Sequence, residues 1–417
     1  MRPNIVFLAT YDTKGLESEY IKRKILDKGV NCITVDVGVR NISPIAADVS
    51  LEKLCDNSGH RPEDIRAMKR GEAVELVSKL ADIYVSHLFQ EGKADAIIGI
   101  GGAGGTQIVT QTMRTLPFGL PKLMLSTLAS GNTRWYLQDS DITIIPSIAD
   151  VAGLNGITEI VFSRFASIAA EAATWYRNEF PEFNRRINDK SVIRVAQTMY
   201  GTTTEGVTRA RCRLESKGYE TLVFHASGAG GRAMENFIRD RFIQGSLDMT
   251  LAEIGAHLVG GLHDAGPNRL EAAVEMEIPF VLVPGAVDTI VLPPMSDLPD
   301  KFRNGRILNH HNPTMTTMRT NIEECLAIGA FIVKKLKNAR SPVKVLIPKG
   351  GLSSIDRPGD IFYFPEANEA LFHALKSGLK GVDKVEVIDD PRHIYDENFG
   401  EDAADLLISL MNQSTFS

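Results

Sequence analysis

Cysteine is scarce: the 417 residues hold four, at Cys32, Cys55, Cys212 and Cys325. None lies in a C-x-x-C pair and none has a histidine at zinc-finger spacing. This argues against a disulfide framework and against a cysteine zinc site, and it reads as reduced thiols in a cytoplasmic protein. Long apolar runs are missing as well. No stretch approaches the ~18 uninterrupted apolar residues of a membrane span. The opening MRPNIVFLATYDTKG has an apolar core of only Ile5 to Ala9 before Asp12 and Lys14, unlike a signal peptide. There is no large excess of one charge: 46 Lys and Arg face 52 Asp and Glu, for a net charge of -6. Such a chain is not built to coat nucleic acid or an anionic membrane, so neither is expected as a partner. H-x-x-E-H, H-E-x-x-H and G-x-S-x-G signatures are absent, which leaves zinc hydrolases and nucleophile-elbow hydrolases without support.

What is there is the composition of an ordinary folded protein, 43% hydrophobic and 24% charged. Short β-rich runs alternate with helical patterns, the signature of a parallel sheet covered by helices. Strands are expected at 4–10, 32–37, 95–100, 122–126 and 142–145. The polar segment NEFPEFNRRINDK, residues 178–190, reads as a boundary. The pattern then restarts, with strands expected at 191–196, 221–225, 279–283, 343–347 and 385–388. The expectation is an α/β protein of two Rossmann-like subdomains, residues 1–180 and 190–417, with mainly parallel sheets and helices on both faces. The tetrapeptide GAGG occurs in both halves, at 102–105 and 228–231, and hints at two similar halves. Residues 285–320 read as mostly irregular, which in a compact domain implies a lid or binding loop.

The sharpest local signal is GIGGAGGT, residues 99–106, between a strand and a helix. As a dinucleotide fingerprint it fails, because Gly99 lies in the strand and no acidic residue follows at ribose distance. As a lysine-bearing phosphate loop it also fails, because Gly105 stands where the lysine belongs. Two readings remain open. One is a lysine-free anion loop, with backbone N–H groups of Gly101, Gly102, Gly104 and Gly105 and the Thr106 hydroxyl facing a phosphate at a helix N-terminus. The other is a glycine turn that only lets helix and strand approach.

The second half repeats the theme. Gly201, Thr202, Thr203 and Thr204 follow a strand and open a helix; Thr202 with Glu205 also fits a capping box. His225, Ser227, Gly228, Gly230 and Gly231 occupy another strand-to-helix turn, and PGAVD (284–288) and PKGG (348–351) follow further strands. Loops of this kind on one sheet converge on one edge. Asp12, Asp36, Asp264 and Asp288 sit near strand ends or turns, where a carboxylate binds ribose or Mg²⁺, or caps a turn. His310, His311 and Asn312 lie in the expected lid. Arg319 reads either as a bidentate anion clamp or as a surface ion pair, and Lys349 as a phosphate point charge. Arg209, Arg211, Arg213 and Lys217 read as a solvated helix face.

Taken together, FLATYDTKGLE (7–17), GIGGAGGT (99–106), MYGTTTEGV (199–207), FHASGAGGRAME (224–235), GPNRLEAA (266–273), VPGAVD (283–288), HNPTMTTMRT (311–320) and PKGGLSSID (348–356) resemble one family. It is the ATP-binding domain family typified by the N-terminal region of the plant tomato mosaic virus resistance protein, with stand-alone bacterial members. The resemblance implies two α/β subdomains, ATP as ligand and self-association into a homodimer. It places the triphosphate on the glycine and threonine loops, more firmly in the second half. Mg²⁺ held by an aspartate would replace the missing lysine charge, and the adenine would lie between the halves under the lid. The expected function is ATP binding, in an enzyme acting on a small acidic metabolite. The alternatives are a non-catalytic regulatory protein, or a phosphate-independent hydrolase or lyase using His310, His311 or Lys349.

Overall fold

The computed structural model describes residues 2–414, and it divides into two compact units, residues 1–187 and 188–417. In the first unit, alternation sets the faces of the opening strand β1 (Asn4–Ala9): Ile5, Phe7 and Ala9 point to one side, Val6 and Leu8 to the other. All five are fully buried, so this strand must be central. It pairs in parallel with β2 (Asn31–Asp36) on one side and β3 (Ala96–Gly101) on the other. β4 (Lys122–Ser126) and β5 (Thr143–Pro146) complete a parallel sheet of order β2-β1-β3-β4-β5. Helices α1 (Tyr11–Leu26) and α4 (Gly156–Asn178) cover one face; α2 (Arg70–Gln90) and α3 (Ala103–Arg114) cover the other. The order reverses between β1 and β3, and ligands of such sheets bind outside the carboxyl ends of the strands at that point.

The second unit repeats the plan with one strand more. β6 (Arg194–Met199), β7 (Glu220–His225), β8 (Gly245–Asp248) and β9 (Phe280–Leu282) join two later strands, β13 (Val343–Pro348) and β14 (Val385–Asp390). The order is β14-β13-β9-β8-β6-β7, all parallel, with the reversal between β6 and β8. Helices α5 (Thr204–Ser216), α6 (Ala229–Arg239), α7 (Ala252–Val259), α8 (Ile322–Leu336), α9 (Pro365–Leu379) and α10 (Phe399–Ser414) surround it.

One expectation is overturned here. Residues 285–320 are not irregular: they carry a three-stranded antiparallel meander, β10 (Thr289–Leu292), β11 (Leu308–Asn312) and β12 (Met315–Arg319), of order β10-β12-β11. Both its faces are packed. Met315 and Val291 join Tyr200, Ala226, Ala252 and Ala286 at the carboxyl edge of the parallel sheet. Ile290, Leu292 and Met318 face Leu298 and Phe302 on the other side. The strand expected at 191–196 also sits three residues later, because Val192 is held in a turn by Asp189. Among the described residues no helix is long and apolar enough to cross a membrane.

Candidate functional site

In the first unit the reversal point gathers the turns after β1, β2, β3 and β4. Gly101 ends β3, and a Cβ there would stand 3.1 Å from the Gly105 Cα, so the glycines let α3 start directly against the strand. Gly102 takes the N-cap position with no side-chain cap. Thr106 N–H bonds back to Gly102 O at 2.8 Å, whereas the amides of Ala103, Gly104 and Gly105 meet no acceptor among the described residues. Arg70 reaches this turn from elsewhere in the sequence. Its Nη2 lies 3.2 Å from the point a Gly104 Cβ would occupy, and it makes no ion pair among the described residues. Arg70 follows Lys69, the N-cap of α2. Two cations there add to the positive end of the macrodipole, and Glu72 is the acidic residue of the same first turn.

The hydroxyl expected from Thr106 is not available. The residue is fully buried, and its Oγ1 is 2.8 Å from Ser126 Oγ. Helical geometry turns that side chain under the helix and onto the next strand. Thr127, which sequence reasoning missed, takes the position facing the turn, with Oγ1 3.6 Å from where a Gly102 Cβ would stand. Arg70 was missed too; the signal that could have found it is the basic pair opening a helix. On the other side of β1 stand two carboxylates. Asp36 Oδ1 accepts from Tyr11 N–H at 3.0 Å and Gly38 N–H at 2.8 Å. Burial first, and the nearby Asp12 in lesser part, raise its carboxyl to about 6. Asp12 Oδ2 accepts from the Arg40 and Asn41 amides at 3.2 and 3.3 Å. No group of three or more His, Cys, Asp or Glu among the described residues is arranged to hold a metal by itself.

The second unit treats its glycine turn differently. The amides of Gly228 and Gly231 donate to Glu253 Oε1 at 2.6 and 3.0 Å. A Cβ at Gly231 would stand 2.0 Å from Glu253 Oε2, so the glycine exists to admit this carboxylate. Glu253 is fully buried and also accepts from Arg269 Nε at 2.8 Å. Arg269, itself 1% exposed, makes two bonds to Asp248, at 2.6 and 2.9 Å, and one to Glu235 at 3.3 Å. Burial raises the Glu235 carboxyl, which relieves this crowding of negative charge. The expected anion cradle at Gly228, Gly230 and Gly231 is thus filled from inside. The repeated GAGG is also not on equivalent turns. It follows the third strand of the first unit but the second strand of this one, and the turn equivalent to the first, after β8, is the one that carries Glu253.

The threonine turn is largely used internally as well. Thr203 Oγ1 accepts from Tyr200 N–H at 3.0 Å and meets Thr250 Oγ1 at 2.8 Å; Thr204 Oγ1 donates to Tyr200 O at 2.9 Å. Gly201 is exposed, and its carbonyl accepts from Tyr395 Oη at 3.3 Å. Thr202 Oγ1 is buried without a partner. Ser227 Oγ donates to the carbonyl of His225, two residues back, at 3.4 Å. Exposed His225 stacks on Tyr200 at 5.4 Å, and Tyr200 Oη lies 2.6 Å from His263 Nδ1.

Arg319 is a core residue rather than a ligand clamp. It is 2% exposed and donates to Phe362 O, Thr320 O, Thr320 Oγ1, Phe364 O and Asn368 Oδ1. Near it lie two fully buried carboxylates from different loops. Asp288 Oδ2 accepts from Ser353 Oγ at 2.6 Å, and Asp356 Oδ2 accepts from Leu352 N–H and Asn368 Nδ2. The Oδ1 of each is buried without a partner. Burial raises both carboxyls, and Asp288 helps push Asp356 to about 6. His310 and His311 are exposed at the tip of the β11–β12 hairpin, and Asn312 Oδ1 accepts from Thr314 N–H at 2.9 Å within its turn. Lys349 is exposed and 3.4 Å from Glu369. Asp264 accepts from Gly266 N–H at 2.6 Å and meets His257 Nδ1 at 3.0 Å. Arg209, Arg211 and Arg213 form ion pairs with Glu205, Glu215 and Asp405.

Comparison with known proteins gives a consistent picture. Residues 3–178 match the N-terminal domain of the uncharacterised protein family UPF0261, and residues 192–411 match its C-terminal domain. A UPF0261 protein of Clostridium tetani (strain Massachusetts / E88) is 41% identical over 99% of this chain and 100% of its own length. Two proteins of Solanum lycopersicum are each 37% identical: the ToMV resistance protein Tm-1(GCR237), over 86% of this chain, and the ToMV susceptible protein tm-1(GCR26), over 83%. The matched regions are 47% and 45% of those two proteins, so this chain spans about half their length.

Proposed function

This chain belongs to the uncharacterised protein family UPF0261, and we propose that it binds ATP, with the triphosphate on the first unit's glycine turn. The observation that carries this reading is the set of unengaged donors at the β1/β3 reversal. Three amides opening α3 have no acceptor among the described residues, and the guanidinium of Arg70 stands beside them without a counter-ion. In the second unit the glycine-turn amides already hold Glu253, which moves the proposed triphosphate away from Gly228, Gly230 and Gly231. ATP is chosen over other anions because of the resemblance to an ATP-binding domain family. Mg²⁺ commonly takes one or two carboxylates together with phosphate oxygens. Asp12, one strand end from the turn, is the residue we assign to it. Self-association into a homodimer belongs to the same proposal.

Isothermal titration with ATP and Mg²⁺ tests it. The expected result is saturable binding by the wild-type protein, weakened about tenfold or more by Arg70→Ala through loss of a charge-assisted contact. Absence of binding, or equal binding by the variant, would overturn the assignment.

A further inference from the structure

The 23-residue helix α4 buries one face and leaves a regular stripe on the other. Inward, Val161, Phe162, Phe165, Ala166, Ala169 and Ala173 fill the core against β1 and α1. Outward lie Ile157, Ile160 and Ile168, exposed by 61%, 68% and 40%. Arg164 and Glu171 complete the stripe; both are exposed, and neither has an ion-pair partner among the described residues. Read along the chain as 157, 160, 164, 168 and 171, the steps are three, four, four and three residues. Any one face of a helix repeats at this spacing; what sets this face apart is that three of its five positions are isoleucine. Three exposed isoleucines in one row are uncommon where nothing covers them. Leu16 and Leu26 of the neighbouring helix α1 are exposed as well, by 52% and 47%.

The two charges in the stripe identify what covers it. They are opposite in sign and seven residues apart, two helical turns along the same face. A second copy of the helix, running antiparallel about a two-fold axis, sets Arg164 of each copy against Glu171 of the other. That register places the axis between Ser167 and Ile168 and sets Ile160 against half-buried Trp175, which packs on Phe180 and Phe183. The patch is then self-complementary, as an isologous contact requires. A lipid surface would leave Glu171 buried against acyl chains, and an unrelated partner would not need this internal symmetry.

We infer that the outward stripe of α4 is a homodimer interface, in which two copies of the helix pack antiparallel with reciprocal Arg164–Glu171 ion pairs. The inference builds on the proposed self-association and adds where it occurs. Sedimentation equilibrium of the full chain is the test. The wild type is expected to dimerise at micromolar concentration, and Ile160→Glu to be monomeric with an unchanged circular-dichroism spectrum, since that side chain is solvent-exposed in the single chain. Arg164→Glu and Glu171→Arg are each expected to weaken dimerisation about tenfold, because each sets like charges together at two symmetric places. Combining them restores the ion pairs with reversed sign, and the affinity is expected to return to within about threefold of wild type. A dimer unaffected by Ile160→Glu, or a charge-swapped double variant no better than the singles, overturns the inference and leaves self-association standing. A wild type that stays monomeric throughout overturns both.

Discussion

A single side chain separates the two glycine turns. In the second unit Glu253 accepts from Gly228 and Gly231, so the turn's anion is built in. In the first unit no carboxylate among the described residues enters the turn at Gly102–Gly105, and a cation, Arg70, stands beside it. The buried acids of the second unit have a measurable consequence. Asp356 has its carboxyl raised from 3.8 to about 6, chiefly by burial and then by Asp288. The folded protein therefore holds this proton more tightly than the unfolded chain does. The stabilisation is complete below about pH 4 and is lost as pH rises through about 6, a change on the order of 3 kcal/mol. Asp356→Asn removes the titration and relieves the repulsion on Asp288. We expect the urea midpoint of wild type to fall between pH 4 and 6.5 relative to that of the variant, whose profile is flatter; parallel profiles would contradict this. Individual residues were the least legible level of the sequence. Glycine, threonine and arginine are visible there, but whether their donors are already satisfied is decided by residues far along the chain. Glu253 lies 22 residues beyond Gly231, and Arg269 joins Asp248, Glu253 and Glu235 from a third segment.

Elements were read well where one physical signal dominated. The buried parallel strands are short apolar runs bounded by turn residues, and ten of them stand at or near their expected places. The central strand of the meander, β12, was not legible because both its faces are buried. Met315-Thr-Thr-Met-Arg319 therefore lacks the polar–apolar alternation that marks a half-exposed strand. β8 escaped notice because it has four residues and ends on an aspartate, whose charge Arg269 neutralises. Arg319 closes the meander onto the loops beneath it, and so it has a structural test rather than a ligand-binding one. Arg319→Met leaves the buried acceptors Phe362 O, Thr320 O, Phe364 O and Asn368 Oδ1 without their donor, a loss of about 3 kcal/mol or more. Arg319→Lys should fare little better, since three donors on one nitrogen do not reach five acceptors. Both tryptophans, Trp135 and Trp175, lie in the first unit. Circular dichroism is thus expected to show an earlier urea transition for the second unit, with the tryptophan fluorescence transition in place. A fluorescence transition that moves equally would contradict this.

At the scale of the molecule, the two units share a sheet plan but not a chemistry. Strand order runs 2-1-3-4-5 in the first and, counted within the unit, 2-1-3-4-5-6 in the second, where the meander enters between the fourth and fifth strands. Such a plan offers each unit a ligand edge at its order reversal. The second unit closes that edge with Glu253, with the Met315 face of the meander and with hydroxyls bonded among themselves. The first unit leaves donors open at the same place. Each unit has its own cores, built from its own strands and helices, so each is expected to fold alone when the chain is divided between Ile187 and Asn188. ATP with Mg²⁺ at about 100 times its dissociation constant should then stabilise the first half by about 2.7 kcal/mol. For a half of that size this is a rise of several degrees in melting temperature. The second half should show no shift. If ATP instead stabilises only the second half, a bound triphosphate must displace Glu253 from the amides it holds, and the proposed division of labour between the two sheets is wrong.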